Sequence, residues 1–205
     1  MCGIIGFFVG CESAITCPKR KMCAANRQYR SPFDKWDTRA SVRNAPRRLD
    51  QMDAAMFPER FVPVLKHPQT KELPASARTL LRRAALFRFM NFTHKLEMLV
   101  VNTVTANIAL GRYDADFTDP IRLDAHRIYV DEAYHALFSF EYMQNMPIQE
   151  HERAAFAETM PAFVTRANAI AAACDPADRA LIELLAVIIS EMLITTTLRA
   201  RPEKS

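Results

Sequence analysis

Asp131-Glu132-Ala133-Tyr134-His135-Ala136 decides what kind of fold the 205 residues can build. A glutamate and a histidine three residues apart share one face of a helix, where a single metal ion can be held by both. The flanking Ile128-Tyr129 and Ala136-Leu137-Phe138 suggest that this face is packed. Upstream, Asp119-Pro120 puts a carboxylate ahead of a proline at the first helical position, which predicts a helix running from there to about Met146.

Helices are expected on either side of it. Ser76 is a plausible N-cap for a run from Ala77 to Leu110, which Gly111 ends as the residue after the C-cap. A third helix is expected over about Gln149 to Cys174, with a break at Pro161. Asp175-Pro176 then repeats the acid-plus-proline start and opens an apolar helix from Ala177 to about Leu198. From Pro32 to Pro74 the prolines read as an irregular lead-in, with a short helix near Asp50 to Met56.

The outer helices each embed an acid in apolar sequence. Glu97 lies in Leu96-Glu97-Met98-Leu99-Val100-Val101, and its helical neighbours are Met90, Val100, Val101 and Val104. Glu191 lies in Ile188-Ile189-Ser190-Glu191-Met192-Leu193-Ile194, with Val187, Ile188 and Ile194 on its face. Ionised carboxylates are costly in an apolar core, so both acids call for a partner. For Glu191 that partner is either a metal or an arginine such as Arg88 or Arg199. His94, three residues before Glu97, is either structural or an outer hydrogen-bond partner. Asp131 is either an acceptor for a ligand imidazole or a solvent-facing acid. His126 and Tyr129 are expected to pack.

Composition supports an all-α fold. Three of the four glycines (Gly3, Gly6, Gly10) lie in the first ten residues, and Gly111 is the only one after them, too few for the turns of a β-rich domain. Residues 18 to 48 carry ten Lys or Arg against two acids, whereas residues 49 to 205 carry seventeen against twenty. We therefore expect residues 1–48 to be a basic, disordered arm and residues 49–205 to be the folded domain. The arm also resembles a transit peptide in composition, but a solvated arm is the simpler reading and no nucleic-acid or membrane partner is expected. Cys2, Cys11, Cys17 and Cys23 lack metal or redox spacings and read as cytosolic thiols, which favours a cytoplasmic protein.

Two irons in a four-helix bundle are held by one Glu from each of two helices and a Glu-x-x-His from each of the other two. This chain offers Glu97, then Glu132 with His135, then Glu191 in that order. Only His135, of five histidines, has a Glu three residues before it, so a last ligand-bearing helix is not expected within the chain.

At these residues the sequence resembles the p-aminobenzoate N-oxygenase family of ferritin-like non-haem di-iron oxygenases. Phe92-Thr93-His94-Lys95-Leu96-Glu97 with Val100-Val101-Asn102 is similar to its first ligand helix, and Asp131-Glu132-Ala133-Tyr134-His135 to its Asp-Glu-x-x-His motif. Ser190-Glu191-Met192-Leu193-Ile194-Thr195 is similar to its third, with Met192 where the family usually has Thr. The likeness covers about residues 55–202. The resemblance implies a ferritin-like helical bundle, incomplete at its C-terminus, with Glu97, Glu132, His135 and Glu191 as ligands to two iron ions. It implies dioxygen and a small aromatic amine as substrates, with N-oxygenation or hydroxylation as the reaction and an unidentified electron donor. A chain lacking a ligand helix could be inactive, or could pair as a homodimer. The rival reading is a metal-free helical interaction or remnant protein.

Overall fold

The computed structural model describes residues 29–44, 57–113, 117–156 and 162–199, and all regular structure among them is helical. Two short helices, α1 (Trp36–Arg39) and α2 (Ser41–Asn44), come first. Two 3-10 turns (Glu59–Phe61 and Pro63–Lys66) and α3 (Pro68–Lys71) follow. The body consists of α4 (Ala75–Leu96), a π-helical turn (Glu97–Val101), α5 (Asn102–Ala109), α6 (Asp119–Asn145), α7 (Glu150–Phe156), α8 (Ala162–Ala173) and α9 (Pro176–Arg199). The expected helix near 50–56, the break at Pro161 and the four N-terminal cysteines lie outside the described residues.

The helix ends follow from local chemistry, with two shifts from expectation. Pro74, in extended backbone, occupies the N-cap of α4, and Ser76 lies inside the first turn. Thr118, not Asp119, occupies the N-cap of α6. At the far end of α5, Gly111 adopts φ +65°, a conformation a Cβ disfavours. Gly111 N donates to the Ile108 carbonyl and Arg112 N to the Asn107 carbonyl, the paired bonds of a Schellman stop. Arg122, one turn into α6, donates to the Ala109 carbonyl at 3.0 Å and so ties the two helix ends together. The Asp175 carbonyl accepts from Asp178 N and Arg179 N at the start of α9, as the acid-plus-proline signal predicts.

Helix α6 lies against α4, the π turn and α5, and α9 lies chiefly against α8 while also reaching the π turn and α5. One core joins Leu96, Val101, Val104 and Ile108 to Ala125 and Ile128 of α6, Val164 of α8, and Ala186 and Val187 of α9. A second joins Leu86 and Phe87 to Tyr142, Met143 and Met146. Burying each large apolar side chain contributes about 1.5–3 kcal/mol before chain entropy is subtracted. Along α6 the buried residues step by three and four through Ala125, Ile128, Glu132, Ala136 and Ser139, and Glu132 falls on that line.

Two expectations are corrected here. His126 and Tyr129 are exposed, because they fall between the buried positions Ala125 and Ile128 and the next buried turn. Residues 29–44 were expected within a disordered arm, yet Phe33 is part of the main core and Trp36 packs against it. No described helix is long and apolar enough to cross a membrane.

Candidate metal centre

The π turn carries the first acid. Its wider backbone spiral is closed by Asn102 N donating to the Glu97 carbonyl, and it buries Glu97, Val100 and Val101 while Met98 and Leu99 face outward. Turns of this kind occur mostly as single bulges within longer α-helices, frequently at functional sites. Glu132 and His135 come from the buried line of α6, and Glu191 from the stretch of α9 that also buries Val187, Ser190 and Thr195.

All three acids are buried: Glu97 is 3% exposed, Glu132 7% and Glu191 5%. Glu97, Glu132 and His135 each present a ligand atom within 4.8 Å of the other two. His135 Nδ1 and Glu132 Oε2 share a hydrogen bond at 2.7 Å. Glu191 lies close enough for its carboxyl to respond to the charges of Glu132 and His135, and its own charge acts on Glu97. No ion pair to Glu191 occurs among the described residues, and Arg88, one of the two arginines considered for it, is exposed. The side chain of the other, Arg199, lies outside the described residues.

Electrostatics follow from this crowding. Burial, and then the negative charges of Glu132 and Glu191, push the Glu97 carboxyl up to about 10. Burial, and then Glu132, push Glu191 up to about 7. Acids held together in a dry interior resist ionisation unless a cation joins them. The fit to a metal is good on two counts. The set mixes carboxylate and imidazole, which suits a first-row metal that binds oxygen. Glu97 Oε2 and Glu191 Oε1 are buried with no hydrogen-bond partner in the protein, so each keeps a lone pair for an ion.

The neighbours divide into those legible in sequence and those missed. His94 Nδ1 donates to the Ala136 carbonyl at 3.2 Å and its ring lies 5.4 Å from that of Phe140. It ties α4 to α6 beside His135, which is the structural role. Asp131 accepts from Trp36 Nε1 at 2.9 Å, a partner not foreseen. Asn102 Oδ1 and Thr195 Oγ1 were also missed, and both are buried without a partner. Each follows one of the acids by about one helical turn, and that spacing was the available signal.

A ferritin-like all-α bundle with carboxylates and an imidazole converging in its interior is the class of fold in which carboxylate-rich metal sites are built from facing helices. The model of the p-aminobenzoate N-oxygenase AurF family matches residues 24–204, and the chain belongs to that family. The match begins well before residue 55, where the sequence likeness was expected to start. No curated protein and no solved structure matches the chain. Membership supports an oxygenase, an oxidoreductase of a di-iron family.

Proposed function

We propose that the protein is a non-haem di-iron oxygenase in which Glu97, Glu132, His135 and Glu191 hold iron. The reaction is dioxygen-dependent N-oxygenation or hydroxylation of a small aromatic amine, with electrons from a separate donor. The observation that carries the reading is the pair of buried, unpartnered carboxylate oxygens beside a Glu-x-x-His in a member of this family. Iron supplies the oxygen activation. The protein's part is to exclude water, to keep His135 oriented through the tether of His94 to Ala136, and to present buried carboxylates that a cation draws together. The full two-iron arrangement needs a second Glu-x-x-His, which the 205 residues do not contain.

Metal analysis tests the reading. Protein produced with iron should retain about one iron per chain or more and show charge-transfer absorption, and Glu132→Ala and His135→Ala should each weaken iron binding by about 100-fold or more, beyond the 10–100-fold typical of outer partners. Retention far below this in the unaltered chain, alone and with any partner chain, sinks it. A second reading, a metal-free helical interaction protein that pairs as a homodimer, is favoured by exposed Leu137, Phe140, Ile189 and Met192. It predicts a dimer by light scattering with no iron.

A further inference from the structure

Helices α8 and α9 meet the π turn and α5 around a narrow crevice of about 60 Å³. Its two ends differ in chemistry. Leu99, Thr103 and Asn168 are exposed and mark the mouth. Val100, Val104, Ala171 and Ala186 are buried and form the floor, where no side chain is polar. The one acid in the lining, Glu183, is engaged by Tyr113, whose Oη donates to Glu183 Oε2 at 2.7 Å.

The floor is carried by the same helical turns that carry two of the buried acids. Val100 follows Glu97 by three residues, and one π turn buries both. Ala186 precedes Glu191 by five residues on α9, about 7–8 Å along the axis at about 1.5 Å per residue. The crevice therefore runs from solvent, between α8 and α9, toward the side of the acid cluster that Glu97 and Glu191 occupy.

Size and polarity select what can enter. A buried water needs about 10–15 Å³ and two to four polar partners, so the floor has the room for water but not the partners. An apolar cavity of about 150 Å³ takes up benzene, so this one is too small for a ring. A small apolar gas molecule meets both conditions.

We infer that this crevice is an entry and holding site for dioxygen, kept open by the small side chains of Ala171 and Ala186. As a site for an apolar gas it stands on the crevice and its lining, whereas as a route to a metal it rests on the function proposed above.

Dioxygen itself is the probe. It is paramagnetic, so at raised oxygen pressure it speeds the relaxation of nearby methyl groups in the full chain. In the iron-free protein the methyls of Val100, Val104, Ala171 and Ala186 should gain at least about threefold more relaxation than those of Val62 and Leu65, which are as deeply buried but line no part of the crevice. Ala186→Leu fills the space and should abolish that excess at Val100 and Val104. If Ala186→Leu fails to fold by circular dichroism, Ala171→Val takes its place. Equal relaxation at all these methyls, or an excess that survives the filling substitution, overturns the proposal. The same variant loaded with ferrous iron tests the route: its second-order rate of dioxygen uptake should fall several-fold at unchanged iron content, and an unchanged rate overturns the entry role. Iron content also separates the two readings. Iron without a selective oxygen effect removes the crevice and leaves the metal centre; a selective effect in a chain that holds no iron leaves the gas site and removes the oxygenase.

Discussion

Helices α6 and α9 begin in the same way and end up in different circumstances. Both open at an acid–proline pair, both run for more than twenty residues, and each brings an acid inward. Yet α6 is flanked along its length by α4, the π turn and α5, with residues 29–44 over another face. Glu132 has His135 beside it on the same face, at 2.7 Å. Helix α9 has α8 as its main neighbour, leaves Leu181, Leu185, Ile189 and Met192 exposed, and presents Glu191 with one oxygen unpartnered. The lesson is that a start signal and an apolar run specify a helix, but whether its buried acid finds a partner depends on its immediate neighbours: Glu132 has His135 on its own helix face, whereas Glu191 has no such neighbour on α9.

The sharpest way to break this comparison is by pH. In protein stripped by a chelator, the Glu97 and Glu191 carboxyls sit at about 10 and about 7, both above the usual 4.5. The folded chain then binds more protons than the unfolded one over that interval, so stability is greatest in acid. It should fall as pH rises above about 4.5, most steeply up to about 7, where both acids contribute, and less steeply from there to about 10, where Glu97 alone does. Glu97→Gln should raise the melting temperature at about pH 8.5 more than Glu191→Gln, because the carboxyl at about 10 carries the larger penalty there. Equal gains, or a melting temperature that climbs with pH, would contradict the crowding of the acids. Metal affinity should run the other way and strengthen with pH, since binding expels those protons.

A moderate effect is expected from the well-covered side. Ile128→Ala empties a position enclosed by the main core and should cost about 2–5 kcal/mol in urea unfolding. A loss below about 1 kcal/mol would mean that α6 is no better covered than α9. The smallest effect belongs to the open side, where Ile189→Lys should change stability by no more than about 0.5 kcal/mol. A larger loss, together with a dimer dissociating into monomers on light scattering, would show that α9 is covered by a second copy.

Much of this was readable before any coordinates. The helix boundaries at Gly111 and Asp175-Pro176 are local events, set by a positive φ and by a proline's fixed φ, and local events are written in a few residues. The burial of Glu97, Glu132 and Glu191 followed from apolar neighbours at helical spacing. The π turn was not readable, because Leu96 to Asn102 contains nothing that an ordinary helix would refuse. The packing of residues 29–44 was obscured for another reason: averaged over 18–48 the charge is strongly basic, and the average hides Tyr29, Phe33 and Trp36. Those aromatics lie close together in sequence, and weighing them separately from the charge could have pointed to a packed segment.

The π turn also has a bearing on which insertions and deletions the chain can survive. Each residue of an α-helix advances the side-chain direction by about 100°. Rewinding the unshortened segment as an ordinary α-helix would rotate everything from Asn102 onward by about that angle, carrying Val104 and Ile108 off the core while leaving Leu86 and Phe87 seated, whereas a one-residue deletion at Met98 or Leu99 that restored ordinary winding would keep both faces inward. The wide turn thus keeps the upstream and downstream halves of this long rod in angular register by taking up one surplus residue, with Glu97 at the joint between them.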